Sequence, residues 1–324
     1  MKVTEVLRGW KTILSGRTPF LSIELTKECP LHCPGCYAYG DDHLGGDVIL
    51  RQVSDFKGKE LVDRFLDVVD RYQPLHVSIV GGEPLVRFRE LHEILPQLEA
   101  RGVVIQLVTS AVRPIPIEWA KIKLLTIVVS IDGLAAEHDV RRKPATYERI
   151  LECIEGHHIT VHCTITRQMT ERARYLYEFM DFWSARPETD KIWFSMFTPQ
   201  IGETSYEILP IAARQQVVRD LHEIRGKYPK LSMTTFAIDG FLDPPSKPSD
   251  CIFANITRTI TADLKTRVGP CQFGGNPDCS QCGCVASVGL NAIGKFKTVG
   301  GIPVQRIWEQ SHKIGSVFAA MRGD

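Results

Sequence analysis

Six short apolar segments recur along the first 200 residues of the chain, and stretches with helical periodicity separate most of them. The segments are FLSIELT at 20–26, HVSIV at 76–80, VVIQLVTS at 103–110, LLTIVVSI at 124–131, ITVHCTIT at 159–166 and IWFSMF at 192–197. Near-continuous apolar strands that alternate with helices indicate a parallel sheet covered by helices. Because crossovers between parallel strands are right-handed, such a sheet is expected to curl into a barrel or part of one. The predicted fold class is α/β.

The less common residues of this region follow the predicted strands. Cysteines come after the first strand, and Gly-Gly-Glu-Pro comes after the second. Residues with a hydroxyl group end the third, fourth and fifth strands, with Ser130 at the end of the fourth. The carboxyl ends of parallel strands meet at one edge of a sheet or barrel, where active sites are built. We therefore expect these residues to lie together.

Charge and hydropathy narrow the function classes. The formal net charge is +1, and no run of five or six like charges occurs, so nucleic-acid binding is not expected. No apolar run approaches the roughly 18 residues of a membrane span, and the N-terminus lacks the apolar core of a signal peptide. A soluble cytoplasmic protein is the expectation.

The composition of the chain changes near residue 200, which suggests four regions. We expect an N-terminal helix at 1–17, a barrel core at 18–200, a helical continuation at 201–242 and a cysteine-rich segment at 243–324. A proline-rich stretch, DPPSKPSD at 243–250, introduces the last region.

Ten cysteines in a chain of this length indicate metal binding or catalysis when the compartment is reducing. Cys153 and Cys163 stand alone and are expected in the core, where cysteine packs as a small apolar residue. Cys29, Cys33 and Cys36 lie close together behind the first strand. Three thiolates can hold an iron–sulfur cube and leave one iron open, whereas electron-transfer clusters use four cysteines. A structural zinc site is the alternative, with His43 as an option for the fourth ligand.

The Cys-x3-Cys-x2-Cys spacing behind a first strand resembles the radical S-adenosylmethionine (radical SAM) superfamily. The resemblance covers roughly residues 18–200 and implies a partial (β/α)6 barrel of the TIM-like type. It also implies a [4Fe–4S] cluster on Cys29, Cys33 and Cys36, with S-adenosylmethionine chelating the open iron. In the family, one-electron cleavage of this cofactor yields a 5′-deoxyadenosyl radical that abstracts hydrogen from the substrate.

A second motif of the family is matched by Gly81-Gly82-Glu83-Pro84. The resemblance implies that this loop binds the amino group of the cofactor's methionine; glycine allows close backbone approach, and a carboxylate suits an ammonium. A stretch running from Ser130 to Arg142 resembles one in the peptide-modifying branch, and there these two residues would contact the carboxylate and ribose. The chain departs from the family at Gly35, where a bulky residue usually packs on adenine, and Tyr37 is a candidate to compensate.

The C-terminal cysteines fit a second metal centre. Their positions resemble the SPASM and twitch extensions of the superfamily, which bind auxiliary [4Fe–4S] clusters. The ligands would be Cys251, Cys271 and Cys279 with one or both of Cys282 and Cys284. A zinc site with four thiolates remains an alternative, because Cys-x2-Cys pairs also suit tetrahedral zinc. Metal-free reactive thiols are a third.

Other polar and aromatic residues give weaker signals. His157, His158 and His162 flank the fifth strand and are expected in the core or at the surface, and Trp183 and Trp193 are expected to pack. The stretch 198–200 and Glu203 follow the sixth strand and are candidates for the substrate rim. No catalytic residue beyond the cofactor site is assigned.

Two functions are consistent with these motifs. One is an enzyme that abstracts hydrogen from a peptide or small-molecule substrate, supplied with electrons by a donor such as flavodoxin or ferredoxin. The other is an iron–sulfur or zinc protein that only carries electrons or senses redox state. Three cysteines and the Gly-Gly-Glu motif favour the enzyme, since an electron carrier has no need to bind an amino acid.

Overall fold

The computed structural model describes residues 3–45, 48–144, 146–298 and 300–322. Eight strands form one sheet in the order β6-β5-β4-β3-β2-β1-β7-β8. The strands are β1 Phe20–Glu24, β2 His76–Val80, β3 Val104–Thr109, β4 Leu125–Ser130, β5 Ile159–Ile165, β6 Thr189–Met196, β7 Thr257–Ile260 and β8 Arg267–Val268.

Helices connect and cover the strands. The helices are α1 Val3–Leu14, α2 Gly58–Tyr72, α3 Phe88–Ala100, α4 Ala135–Arg141, α5 Tyr147–Cys153, α6 Arg167–Thr170, α7 Tyr175–Ala185, α8 Ile211–Lys227, α9 Thr235–Asp239, α10 Ile252–Ile256, α11 Val285–Gly294 and α12 Val304–Arg322. Helix α7 begins directly after Arg174, which adopts a left-handed conformation (φ 63°) and separates α7 from α6.

All six predicted strands are present, and β1 through β6 pair in parallel with their neighbours along the chain. The sheet is open between β6 and β8, so the fold is a partial barrel. Strands β7 and β8 are additions that the sequence analysis missed: β7 pairs in parallel with β1, and β8 pairs antiparallel with β7. At four and two residues, with polar side chains in both, they carry little hydrophobic periodicity. The cysteine-rich segment therefore extends the main sheet.

Alternation along β5 shows how the sheet separates the core from the barrel interior. Val161, Cys163 and Ile165 are buried among apolar side chains, and Cys153 joins the same cluster, as expected for the two isolated cysteines. The intervening His162 is partly exposed. Successive strand residues point to opposite faces, so His162 faces the barrel interior while its neighbours face the helices.

Two smaller apolar clusters attach the C-terminal segment to the barrel. Ile13 of α1 packs with Ile252, Ile256 and Trp308. A second cluster, beyond the end of β1, joins residues of the first cysteine loop region to the turn after β7 and contains Ala38, Leu50, Val53 and Ala262. In the part of the chain that the structure describes, no helix combines the length and apolar character needed to cross a bilayer.

Candidate active site

The loop after β1 carries Cys29, Cys33 and Cys36 as free, partly buried thiols. It is folded tightly: the Leu31 N–H points to Cys29 Sγ at 3.4 Å, and the Cys36 N–H donates to the Cys33 carbonyl at 3.4 Å. Gly35 allows the turn between them with φ 65°. Burial raises the pKa of Cys29 to about 11 and also raises that of Cys36. The metal-free thiols of Cys29 and Cys36 are therefore neutral, and metal binding would release their protons.

Gly81 and Gly82 are required by close packing against the chain that leads into the cysteine loop. Both have positive φ, at 78° and 53°. A Cβ on Gly81 would lie 2.2 Å from Cβ of Glu24, and one on Gly82 would lie 2.3 Å from the Glu28 carbonyl oxygen. The Glu83 N–H donates to that same carbonyl at 2.9 Å. The Gly-Gly-Glu loop therefore supports the cysteine loop directly.

The Glu83 carboxylate is engaged by three donors of the protein itself. Its Oε1 accepts from the Leu85 N–H at 2.9 Å and from the Thr109 hydroxyl, and its Oε2 accepts from the Ser110 N–H at 2.7 Å. The side chain is 1% exposed, and burial raises its pKa. A carboxylate offers about four acceptor sites, so most of its capacity is used in fastening β2 to β3. The direct contact with a cofactor ammonium that the sequence suggested stays a prediction.

Arg142 spans the carboxyl ends of β3 and β4. Its Nε donates to Asp132 at 2.8 Å, and its Nη1 donates to the Ser110 hydroxyl at 3.0 Å. Arg141 also donates to Asp132, which accepts the Thr164 N–H at 3.1 Å. Burial alone would raise the pKa of Asp132, but the two guanidinium groups and the Thr164 amide hold it well below its usual range.

The positive charge of Arg142 acts on the cysteine loop as well. It favours the thiolate form of Cys36 and the ionised form of Glu83. A negative charge on Cys33 in turn favours the protonated form of Arg142. Ser130 ends β4 beside this group, in register with His162 of β5. The structure thus brings the cysteine loop, the Gly-Gly-Glu loop, Ser130 and Arg142 to one edge of the sheet.

A buried network joins this edge to the C-terminal segment. His43 Nε2 lies 2.6 Å from Glu24 Oε1, and its Nδ1 lies 3.0 Å from the Phe273 carbonyl oxygen. Glu24 also accepts from the Thr261 hydroxyl at 2.6 Å. Both ring nitrogens face acceptors, so His43 is doubly protonated. Burial lowers the pKa of His43, but the hydrogen bond to Glu24 raises it above the usual value. With both nitrogens engaged, His43 is not free to be the fourth zinc ligand considered above.

Tyr37 packs within this junction. Its ring centroid lies 5.7 Å from that of His43 and 5.4 Å from that of Phe273, edge-on to the latter. Its side chain remains partly exposed. Tyr37 is therefore placed between the first cysteine loop and the segment that follows Cys271, where a role beside adenine stays a prediction.

The five C-terminal cysteines line a single cavity. Cys251 lies at the start of α10, Cys271 follows β8, and the others lie in the loop before α11. The cavity is lined by Cys251, Cys271, Cys279, Cys282 and Cys284. Burial is the main cause of a raised pKa at Cys271, Cys279, Cys282 and Cys284. In the described ranges, no three His, Cys, Asp or Glu side chains are grouped as a site for a single metal ion.

Gly283 fixes the position of this cysteine loop on the barrel. Its carbonyl accepts the Met196 N–H at 2.9 Å, and its N–H donates to the Thr198 hydroxyl at 2.8 Å. A Cβ on Gly283 would lie 1.9 Å from the Met196 carbonyl oxygen. Only glycine therefore allows Cys282 and Cys284 to sit against the end of β6.

Chemically, both sets suit iron–sulfur clusters. Each consists of free thiols carried on loops, and neither set contains a hard oxygen ligand. Thiolates are the ligands that hold such clusters. The first set supplies three thiols with a partly buried arginine and a carboxylate beside it, whereas the second supplies more thiols than one cube requires.

Several candidates from the sequence have structural roles. His157 Nε2 contacts the Ile115 carbonyl in the core at 3.0 Å, and His158 pairs with Asp190 at the surface. Trp183 is fully buried, as expected for packing. The stretch after β6 contacts the C-terminal segment instead of an open rim: Thr198 binds Gly283, Gln200 Oε1 accepts the Asn276 N–H at 2.6 Å, and Glu203 accepts the Gln200 N–H at 2.8 Å.

His162 and Ser195 are a pair that the sequence analysis missed. His162 Nε2 lies 2.8 Å from Ser195 Oγ inside the barrel, and Ser195 Oγ also accepts the Val285 N–H at 3.4 Å. Burial lowers the pKa of His162 to about 4, so the ring is neutral. Alternation of polar and apolar residues along β5 is the signal that could have indicated it.

Comparisons with known proteins agree with this geometry. A model of the Radical SAM superfamily matches residues 23–166. The mycofactocin maturase MftC of Mycobacterium tuberculosis (strain ATCC 25618 / H37Rv) is 27% identical over 140 residues, which are 42% of this chain and 33% of that protein. The 7-carboxy-7-deazaguanine synthase of Hyperthermus butylicus is 33% identical over 92 residues, which are 27% of this chain and 33% of that protein. The matched regions thus span only a third of these relatives.

Solved structures share the fold over a longer part of the chain. Streptococcus suis SuiB bound to precursor peptide SuiA matches with a TM-score of 0.56 at 16% identity, covering 94% of this chain and 68% of that one. Native anSMEcpe with bound AdoMet matches with a TM-score of 0.56 at 16% identity, covering 94% and 97%. At this identity the likeness shows the fold alone. The superfamily match shows a Radical SAM domain at residues 23–166.

Proposed function

We propose that this chain is a radical SAM enzyme that modifies a peptide. Its cluster would be held by Cys29, Cys33 and Cys36, and S-adenosylmethionine would lie between that loop and the Gly-Gly-Glu loop. When bound, the cluster and cofactor supply one-electron cleavage of the sulfonium and a 5′-deoxyadenosyl radical that abstracts hydrogen from the substrate.

One observation carries this proposal: the cysteine loop is braced by the Gly-Gly-Glu loop at an edge where Arg142 is also placed. The Glu83 N–H holds the Glu28 carbonyl, one residue before Cys29. Arg142 is partly buried near the cysteine loop, and its positive charge would favour a carboxylate at the same place. An electron carrier does not need a binding site for an amino acid beside three thiols. The enzyme is therefore favoured over the carrier or sensor.

The second cysteine set supports an auxiliary [4Fe–4S] cluster. Because five cysteines line one cavity, four of them can serve as ligands. Zinc is the alternative at this site, and elemental analysis distinguishes the two. We keep the expected division into a barrel core at 18–200 and a cluster segment at 243–324, with β7 of that segment joined to the core sheet.

The peptide assignment is supported by the relatives and by the barrel interior. MftC is a maturase, and SuiB has been solved with a precursor peptide. Inside the barrel, the partly exposed His162 and its Ser195 partner provide a polar pair for contact with a peptide. A small-molecule substrate is the second candidate, because a deazaguanine synthase is also among the relatives.

The compartment and electron source follow from the chemistry. All ten cysteines are free thiols, a state that cytoplasmic reductants maintain. We therefore infer a cytoplasmic enzyme that receives single electrons from a donor of the flavodoxin or ferredoxin type.

The test is anaerobic reconstitution with iron, sulfide, dithionite and S-adenosylmethionine, followed by chromatography for 5′-deoxyadenosine. The wild-type chain should release it, and Cys33→Ala should not, because two thiolates cannot hold the cube firmly. Cys153→Ala is the matched control, since Cys153 lies in the core away from both sets. Clean redox cycling without 5′-deoxyadenosine would favour the electron carrier, and near wild-type release by Cys33→Ala would overturn the ligand assignment.

A further inference from the structure

Arg214 is a buried arginine beside the C-terminal cysteine loop. It lies in the first turn of α8 and is 8% exposed. Its guanidinium donates to three backbone carbonyls: Nη1 to Phe241 at 3.0 Å and to Cys282 at 3.1 Å, and Nη2 to Gln281 at 2.6 Å. It therefore fastens the turn between Cys279 and Cys282 to helix α8.

In the described part of the chain, Arg214 forms no ion pair with an acidic side chain, although nineteen other ion pairs are present. Asp278 is near enough to act on it, but the Asp278 oxygens accept from Ser280 and Gln281. Arginine stays protonated in proteins, and a buried charge without a partner is costly.

Arg214 is bound directly to the loop that carries the cavity cysteines, because the Cys282 carbonyl accepts its Nη1–H and Cys282 also lines the cavity. Four thiolates around an iron–sulfur cube would give this region a net negative charge that balances the positive charge of Arg214. The three carbonyl bonds orient the guanidinium, so its charge is held at a fixed place beside the cluster.

We propose that Arg214 is the counter-charge of the auxiliary iron–sulfur cluster and makes that cluster easier to reduce. An added electron makes the cluster more negative, so a fixed positive charge nearby stabilises the reduced state over the oxidised one. This inference rests on the proposed auxiliary cluster, and it assigns Arg214 as a positioning and charge-balancing residue that touches no substrate.

The test uses the full chain with Cys29, Cys33 and Cys36 replaced by Ala, so that only the auxiliary site can hold iron. This parent is reconstituted anaerobically and poised with dithionite and mediator dyes, which supply one electron per cluster. Electron paramagnetic resonance then measures the ratio of reduced to oxidised cluster, and elemental analysis measures iron. Neither readout requires cleavage of S-adenosylmethionine, so failure of this inference is distinct from failure of the proposed function.

The variants separate charge from packing. Arg214→Gln removes the charge, Arg214→Lys keeps it, and Arg225→Gln is the control, because Arg225 of the same helix donates to the Met233 carbonyl at 2.9 Å. At a fixed potential, Arg214→Gln should lower the reduced-to-oxidised ratio about tenfold, which corresponds to about 1.4 kcal/mol. Arg214→Lys and Arg225→Gln should stay close to the parent.

Other outcomes also decide the matter. If Arg214→Gln loses its iron while Arg214→Lys keeps it, the charge is needed for the cluster and the inference stands. An unchanged ratio in Arg214→Gln, equal loss of iron in both Arg214 variants, or a parent that holds zinc and no reducible centre would each overturn it.

Discussion

The Glu83 carboxylate accepts a hydrogen bond from the Ser110 N–H at 2.7 Å, so the loop after β2 is fastened to the end of β3. Ser110 in turn accepts from Arg142 through its hydroxyl. The Gly-Gly-Glu motif, which the family resemblance associates with cofactor binding, thus also holds together the edge of the sheet on which the cofactor would lie. Several expected outcomes rest on this relationship and on those around the cysteines.

Glu83→Gln should destabilise the protein even without S-adenosylmethionine. The amide replaces an acceptor oxygen by an NH2 group, which leaves at least one of the buried donors on Leu85, Thr109 or Ser110 unpaired. An unsatisfied buried donor costs about 1–3 kcal/mol. Thermal unfolding measured without cofactor checks this, with Glu60→Gln as the control, because Glu60 lies in an exposed helical pair with Arg64.

The same substitution should also weaken cofactor binding in a titration, since the displaced loop carries the proposed site. Unchanged unfolding together with weaker binding would show that Glu83 contacts the cofactor and has little structural role.

Gly283→Ala should remove the auxiliary cluster and spare the first one. Its Cβ would collide with the Met196 carbonyl oxygen, which belongs to a rigid strand, so the Cys282 and Cys284 loop must shift. Iron should fall from about eight to about four per chain, as expected for two cubes of which one is lost. The control is Gly289→Ala, whose Cβ would make only an ordinary contact at 3.5 Å with Ala237. Full iron in Gly283→Ala would contradict the placement.

The triple replacement of Cys29, Cys33 and Cys36 by Ala should give the reciprocal result. About half of the iron and a residual visible absorbance should survive on the C-terminal cysteines. Elemental analysis distinguishes the alternatives: about one zinc and almost no iron would identify a zinc site. A folded triple variant with neither metal would remove the auxiliary centre.

The His43–Glu24 pair should make stability depend on pH in a defined direction. The pKa of His43 is raised above its usual value of 6.5 in the folded protein, with the bond to Glu24 outweighing burial. Protonation therefore stabilises the fold fully below about pH 6.5, and this contribution is lost as pH rises through the raised pKa. His43→Gln should cost about 3 kcal/mol at pH 6, since it leaves Glu24 buried without its cation.

Denaturant unfolding of wild type and His43→Gln at pH 6 and pH 9 checks this prediction. The difference between the two proteins should be larger at pH 6. His158→Gln is the control, because His158 pairs with Asp190 at the surface, where such pairs contribute little. An equal difference at both values would show that His43 is neutral in the folded state.

Local patterns in the sequence determined the alternation of strands and helices and the position of the first cysteine loop behind β1. Both rest on short-range rules: apolar periodicity selects the element, and cysteines separated by three and by two residues on one loop can reach one cube. The packing of Cys153 and Cys163 in the core follows from the same alternation.

Only the tertiary structure decided which side chains are already engaged by distant partners. Glu83 is occupied by β3, His43 is paired with Glu24, and Arg214 reaches the Cys282 carbonyl from a separate helix. The joining of β7 to β1 likewise depends on pairing between segments more than 200 residues apart. Hydrogen-bond capacity and buried charge are balanced by neighbours in space, and neighbours far apart in the chain leave no periodic signal in the sequence.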